Sequence, residues 1–278
     1  MKEVQCPLHP EKKAKLWGLE YKGHSIVKCD DCQIRFVSPR RKEVSNKLIY
    51  ESHYFSKNER DERAPTTLSN RLNHCLKAFE FLYPSLQNKD GSILDIGAGT
   101  GLFLKTASLL GHEKLLASDI SNHNAPMLQN SGINFYHGDI TTEKKYHGQF
   151  ELISAQHVLE HVMDPNSFLS GLKKLLTPSG ILYLVVPNEG SLTSQGKSFL
   201  SRFSLSKKPF KHLSPGHHLF FFEQKTLKKL LKKNGLQVLH TRTKESENSK
   251  GAFRSTINPL ISYLGLNSWI EVLASASP

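Results

Sequence analysis

With 278 residues, 38% of them hydrophobic, the chain has room for one large domain, or a large domain with a small appendage, and its apolar content is that of an ordinary globular protein. No apolar run approaches the ~20 residues of a membrane-spanning helix, and the stretch from Met1 to Cys6 lacks the apolar core of a secretory signal. A cytoplasmic protein without a transmembrane segment is therefore predicted. The formal charge of +12 is uneven, since between residues 197 and 242 Lys and Arg outnumber acids eleven to one.

Three of the four cysteines fall in the first 32 residues. Cys6 and His9 form one pair with two residues between them, and Cys29 and Cys32 form a second. Two such pairs can each present two ligands to one point, as a tetrahedral zinc requires. A structural Zn²⁺ held by Cys6, His9, Cys29 and Cys32 is therefore predicted within a module spanning 1–40; the alternative is three unrelated thiols and a surface histidine. Cys75 sits at an apolar helix position and reads as a small buried hydrophobe. Residues 41–64 are charged and irregular, a linker whose Tyr50, Tyr54 and Phe55 are expected to dock on the main domain, 65–278. Apolar residues at Leu68, Leu72, Cys75, Leu76, Phe79 and Leu82 then follow helical spacing, with Pro65 at the start and Pro84 beyond the end.

Ile93 to Ile96 is the first strand of that domain, and Gly97, Gly99 and Gly101 follow at alternate positions before an apolar-periodic helix. Glycines without a Cβ let the backbone turn sharply and approach a ligand, and the helix behind them offers N–H groups to it. The spacing differs from the G-x-G-x-x-G of a dinucleotide site. Moreover, Asp95, two residues before the first glycine, would repel a pyrophosphate and suits a cationic ligand. The second strand, 114–119, ends in Asp119, where a carboxylate can take both hydroxyls of a ribose. The third, 133–140, ends in Gly138 and Asp139.

Asp95-x-Gly97-x-Gly99-x-Gly101, the strand-end acid Asp119 and the Gly138-Asp139 pair, in this order and spacing, resemble the class I S-adenosylmethionine (SAM)-dependent methyltransferases. The resemblance implies that Asp95, Gly97, Ala98, Gly99 and Gly101 lie near the methionine end of SAM, that Asp119 holds the ribose, and that Asp139 with Ile140 lies by the adenine. It also implies a final strand running antiparallel. The N-terminal segment, with Phe36 to Pro39 and Tyr50 to Phe55 after it, is similar to the zinc-ribbon leader of bacterial methyltransferases found with sugar and surface-polysaccharide pathways. There the second ligand is usually cysteine, so His9 is a departure.

Beyond the third strand, 150–155 is a fourth strand. Asp164 and Pro165 open a helix with Phe168, Leu169, Leu172, Leu175 and Leu176 on its apolar side, ended by Thr177 to Gly180. The nearly continuous apolar run 181–186 suits a central parallel strand. Alternating strands and helices mean an α/β fold with a doubly wound sheet, seven-stranded when 236–241 and 268–275 are added. Residues 187–222 are basic and aromatic, too long for an ordinary connection and therefore expected to be a functional insertion, a lid over the site. In the following helix, 223–234, lysines 228, 229, 232 and 233 point outward.

The fourth strand runs into His157, Glu160 and His161, and ligands of open α/β sheets bind at the carboxyl ends of strands. His161 or His157 is the candidate general base for an acceptor hydroxyl, with Glu160 beside it. The stretch also resembles the ubiquinone-type O-methyltransferases, where a Glu-x-x-Glu-His run holds a divalent cation; here His157 replaces the first carboxylate, which disfavours Mg²⁺. The same residues match the inverted zinc-protease signature, but without the helix that motif needs. The expected acceptor is a hydroxyl or carbon of a small molecule or sugar, anionic by the charge of 197–211. The rival readings are a nucleic-acid-binding protein or RNA methyltransferase using the zinc knuckle and basic region, and a SAM-binding regulator without catalysis.

Overall fold

Residues 3–40, 65–86, 88, 90–245 and 264–276 are described in the computed structural model. The linker aromatics Tyr50, Tyr54 and Phe55, and most of the short helix expected near 258–265, lie outside them. In chain order the elements are β1 (Lys15–Leu19), β2 (Ser25–Lys28), β3 (Arg35–Val37), α1 (Pro65–Leu82), β4 (Ile93–Ile96), α2 (Leu102–Leu109), β5 (Leu115–Asp119) and α3 (Ala125–Asn130). There follow β6 (Asn134–His137), β7 (Phe150–Gln156), α4 (Pro165–Leu175), β8 (Leu176–Pro187), α5 (Leu192–Arg202), β9 (Phe220–Phe221), α6 (Gln224–Lys233), β10 (Leu236–Lys244) and β11 (Trp269–Ala276). Seven strands form one sheet in the order β10-β11-β8-β7-β4-β5-β6, and four form another in the order β1-β2-β3-β9.

The chain divides into two units. One comprises Met1–Lys42, His157–Leu169 and Leu184–Val272; the other comprises Glu43–Gln156, Ser170–Tyr183 and Leu273–Pro278. This grouping differs from a 1–40 module set apart from a 65–278 domain, because β3 pairs antiparallel with β9 through Arg35↔Phe221 and Phe36↔Phe220. The insertion is the N-terminal segment's packing partner. Phe210, Leu213 and Phe221 share a buried cluster with Ile26 and Val37, and Trp17 lies against it.

In the second unit β4 runs parallel to β5 and β7, and β5 to β6. Buried Leu94, Leu152 and Ile153 cover both faces of these strands, as their continuous apolar sequences require. Phe79 of α1 stacks on Phe103 of α2 at 4.8 Å. Leu68 and Leu76 of α1, expected on its inner face, are instead exposed, and Cys75 is only half-buried. The strand β8 begins at Leu176 rather than 181, because Thr177 and Ser179 donate hydrogen bonds to the Glu151 carboxylate at 2.7 and 2.9 Å and draw this stretch out of the helix. The C-terminal strand β11 enters the sheet between β8 and β10.

Candidate active site

In the second unit, the turn after β4 carries three glycines in the left-handed region, at φ 68° (Gly97), 52° (Gly99) and 71° (Gly101). A Cβ on Gly101 would lie 2.0 Å from Leu128 Cδ2, so only glycine lets α2 start there. At Gly99 nothing lies within 4 Å of that position, and this backbone is open to a ligand. The turn is tied to the end of β5. Gly97 N–H donates to the Ser118 carbonyl at 2.8 Å, and Gly99 N–H donates to Asp119 Oδ2 at 3.0 Å. Asp119 Oδ1 accepts from Ser121 N–H at 2.9 Å, leaving the half-buried carboxylate with further lone pairs. Asp119 thus orders the glycine turn, a role its strand-end position did not reveal.

Asp95 is 4% exposed. Burial pushes its carboxyl up to about 7, against the hydrogen bond from Ser154 and with added repulsion from Asp119. A buried acid so poised is stabilised by a cation. Asp139 is exposed; one of its oxygens accepts from Thr141 N–H and Oγ1, at 3.0 and 2.6 Å. Ile140 is wholly buried, so its side chain lines no open surface.

The first unit holds the histidine loop. His157 leaves β7 with φ 55°, in the left-handed region, while its N–H donates to the Val185 carbonyl at 2.8 Å and its ring meets Trp269 edge-on at 4.6 Å. Glu160 is 1% exposed, and among the described residues neither carboxylate oxygen has a hydrogen-bond partner. His157 Nδ1 is 3.4 Å away and His161 Nε2 4.0 Å, both beyond ordinary hydrogen-bond length. Burial works to raise the Glu160 carboxyl, but His157, His161 and His218 together outweigh it and hold it below the usual carboxylate range.

His161 Nδ1 is 3.0 Å from the His217 carbonyl. A carbonyl only accepts, so Nδ1 carries the hydrogen and Nε2, the atom toward Glu160, holds the lone pair of the neutral ring. The His218 ring lies edge-on to His161 at 4.9 Å, and burial pulls its pKa down to about 4, so it is neutral near pH 7. Ligand atoms of Glu160, His161 and His218 all lie within 4.8 Å of one another. Backbone pairing brings His218 here, since Leu219 N–H donates to the Glu160 carbonyl at 2.7 Å.

Arg40, which no motif marked, holds both segments. Its guanidinium, 3% exposed overall, donates to the carbonyls of Met163 at 2.9 Å and Leu219 at 3.3 Å, and stacks over Phe220 at 4.3 Å. Arg35 is likewise buried, paired with Glu223 at 2.8 Å and lying over Trp17.

In the same unit Cys6, His9, Cys29 and Cys32 present ligand atoms within 4.8 Å of one another. Cys6 Sγ is 3.4 Å from Cys32 Sγ, and Cys29 Sγ is 3.6 Å from His9 Nδ1. Those separations match the edges of a tetrahedron with bonds of about 2.0–2.3 Å to zinc. The contact between thiols pulls Cys6 down to about 5 and pushes Cys32 up, so one thiolate is already favoured. The first knuckle is anchored by Lys233, whose ammonium donates to the carbonyls of Pro7 and Leu8 at 2.7 and 3.1 Å, and by Asn166, which donates to Pro7 at 2.9 Å. Lys233 therefore points at the knuckle, where an outward lysine was expected.

Of the insertion's cations, Lys197, Arg202, Lys207, Lys208 and Lys211 are all exposed, and so are Phe199 and Phe203; Phe210 is buried in the cluster with Ile26.

A doubly wound sheet with an acid-led glycine turn after one strand and an acid closing the next defines the class I fold of SAM-dependent methyltransferases. The chain belongs to the methyltransferase-domain family, whose profile matches residues 67–241. Among curated relatives it is 25% identical over 167 residues to the mitochondrial ubiquinone biosynthesis O-methyltransferase of Dictyostelium discoideum, covering 53% of this chain and 50% of that protein. It is 31% identical over 153 residues to the ubiquinone biosynthesis O-methyltransferase of Dinoroseobacter shibae, covering 52% and 59%. The chain thus spans little more than half the length of these relatives. Its fold is similar to that of Burkholderia thailandensis 1,6-didemethyltoxoflavin-N1-methyltransferase (TM-score 0.58, 15% identity, 90% of this chain and 98% of that one). It is also similar to that of magnesium protoporphyrin IX methyltransferase from Synechocystis PCC 6803 (TM-score 0.58, 16% identity, 85% and 100%). Both were solved with S-adenosylhomocysteine bound.

Proposed function

We propose that the chain transfers a methyl group from SAM to a hydroxyl of a small-molecule acceptor, with carbon as the alternative atom and a sugar as one candidate class. The observation that carries this reading is the open glycine turn held to Asp119, in a chain whose relatives are named O-methyltransferases. Asp95 and residues 97–101 take the methionine end, Asp119 the ribose, and Asp139 with the backbone of Ile140 the adenine. Attack of the acceptor oxygen on the methyl carbon breaks the carbon–sulfur bond, and the sulfonium's electrons leave on sulfur. The proton goes to His161 Nε2, where Glu160 stabilises the imidazolium. Cations at 197–211 favour an anionic acceptor by steering. Cys6, His9, Cys29 and Cys32 hold a structural zinc. The nucleic-acid reading has less support, since lysines on an amphipathic helix are usually a solvated face.

His161→Ala is expected to lower kcat by about 10²–10⁴ while leaving SAM affinity within about twofold, as a transition-state role requires. Equal turnover of the variant, once an acceptor is in hand, would remove the base. One observation favours a second reading: two imidazoles and a bare carboxylate converge at Glu160, His161 and His218, a donor set suited to Zn²⁺ or Mn²⁺ rather than Mg²⁺. The base mechanism does not use His218. Turnover lost in His218→Ala and restored by added divalent metal would therefore favour the ion.

Asp95 predicts the pH dependence of SAM binding. Its carboxyl titrates at about 7 without ligand, and a bound cation lowers that value. Affinity should then rise with pH up to about 7, by at most about tenfold per unit, and level off above. Calorimetry near pH 6 in buffers of different ionisation enthalpy should register proton release, which Asp95→Asn should abolish. Affinity flat from pH 5 to 8 would contradict the assignment.

A further inference from the structure

The amphipathicity of α5 is inverted. Its inward positions are Ser194, Ser198 and Ser201, each at most 9% exposed. Each has a partner: Ser194 donates to Glu189, Ser198 Oγ lies 3.0 Å from His212 Nε2, and Ser201 accepts from Phe210 N–H at 3.0 Å. Outward stand Leu192, Phe199 and Leu200, with Phe203 and Leu205 just beyond the helix; they are 52, 59, 45, 64 and 69% exposed. Leu192, Phe199 and Phe203 recur at intervals of seven and four residues, along one side of the helix. A helix facing only water carries its apolar stripe inward, and exposed apolar residues gathered along one side, with Phe199 and Phe203 in ring contact, mark an interaction surface.

The charges around the stripe identify what covers it. Lys197, Arg202, Lys207, Lys208 and Lys211 accompany it, and no Asp or Glu occurs between residues 190 and 222. A second copy would set these cations against their own kind. RNA would use open aromatic faces for stacking, but the Phe199 and Phe203 rings lie against each other at 4.6 Å, and leucines offer no stacking face. An apolar stripe bordered by long cationic side chains matches the interface of an anionic bilayer. There, Leu and Phe enter the acyl boundary while ammonium and guanidinium groups stay among the phosphates. No helix among the described residues is long and apolar enough to cross a membrane, so such contact would be peripheral.

We propose that residues 192–211 dock the protein on anionic lipid bilayer surfaces. The proposal rests on the exposed stripe and its charges, and stands apart from the methyltransferase reading. The test is sedimentation of the full chain with vesicles of phosphatidylcholine alone, or of phosphatidylcholine and phosphatidylglycerol in equal parts. Partition onto the mixed vesicles should be at least about tenfold stronger, and should fall steeply at high salt. Phe199→Ser/Phe203→Ser/Leu205→Ser alters only exposed side chains, so it should melt like the parent and partition at least about tenfold less. Lys207→Gln/Lys208→Gln should lose about fivefold per charge. Equal partition onto both vesicle types, or no effect of the triple substitution, would overturn the proposal. So would a dimer that the triple variant dissolves, which would assign the stripe to a second copy, or poly(U) binding without vesicle binding, which would assign it to RNA.

Discussion

Asp119→Ala is expected to weaken SAM binding about hundredfold. In the proposed site two charge-assisted hydrogen bonds to ribose hydroxyls would contribute about 1.5 kcal/mol or more each, and together these would already amount to two orders of magnitude. The structure adds a second loss. Asp119 Oδ2 also accepts from Gly99 N–H at 3.0 Å, so removing the carboxylate frees the turn that must approach the ligand. Asp119→Asn keeps one acceptor oxygen and should fall between the variant and the parent. Isothermal calorimetry measures all three, and unchanged affinity in the alanine variant would reject the ribose assignment and the proposed cofactor with it.

Cys29→Ser/Cys32→Ser is expected to lose bound zinc entirely and to lower the melting temperature by about 10 °C or more. A structural zinc site contributes folding free energy directly, and a loss of several kcal/mol moves the midpoint of a domain this size by that much. By sequence the site belongs to a module at 1–40, and its loss would disturb that segment alone. The structure extends the damage, because β3 is paired with β9 and Ile26 and Val37 share a buried cluster with Phe210, Leu213 and Phe221. Amide exchange should accelerate at 210–221 as well as at 25–37. Elemental analysis of the parent should find one zinc per chain. A full equivalent of metal retained by the variant would place the ligands elsewhere.

The glycine turn was legible because every feature of it is local. Positive φ at Gly97, Gly99 and Gly101, the acid two residues ahead and the acid closing the next strand are set by a few neighbouring residues. The x₂ spacing of the cysteine and histidine pairs is local too, and the structure brings the ligand atoms of Cys6, His9, Cys29 and Cys32 within 4.8 Å of one another. Strand and helix order followed from hydrophobic period, which depends only on which faces are covered.

Tertiary structure alone decided what covers each face. Leu176 scans as helix, yet side chains on its flank bond Glu151 and extend it. Residues 187–222 scan as an aromatic lid, yet Phe199 and Phe203 within them are exposed, because partnered serines hold the other side of α5 inward. Arg40 carries no pattern, since its role is to reach carbonyls of segments far away in sequence. His218 meets Glu160 only because the backbone of Leu219 pairs with that residue. Spacing encodes the turn a few residues can make among themselves; which distant segment completes a carboxylate, a cation or an apolar face is settled by the packing of the whole chain.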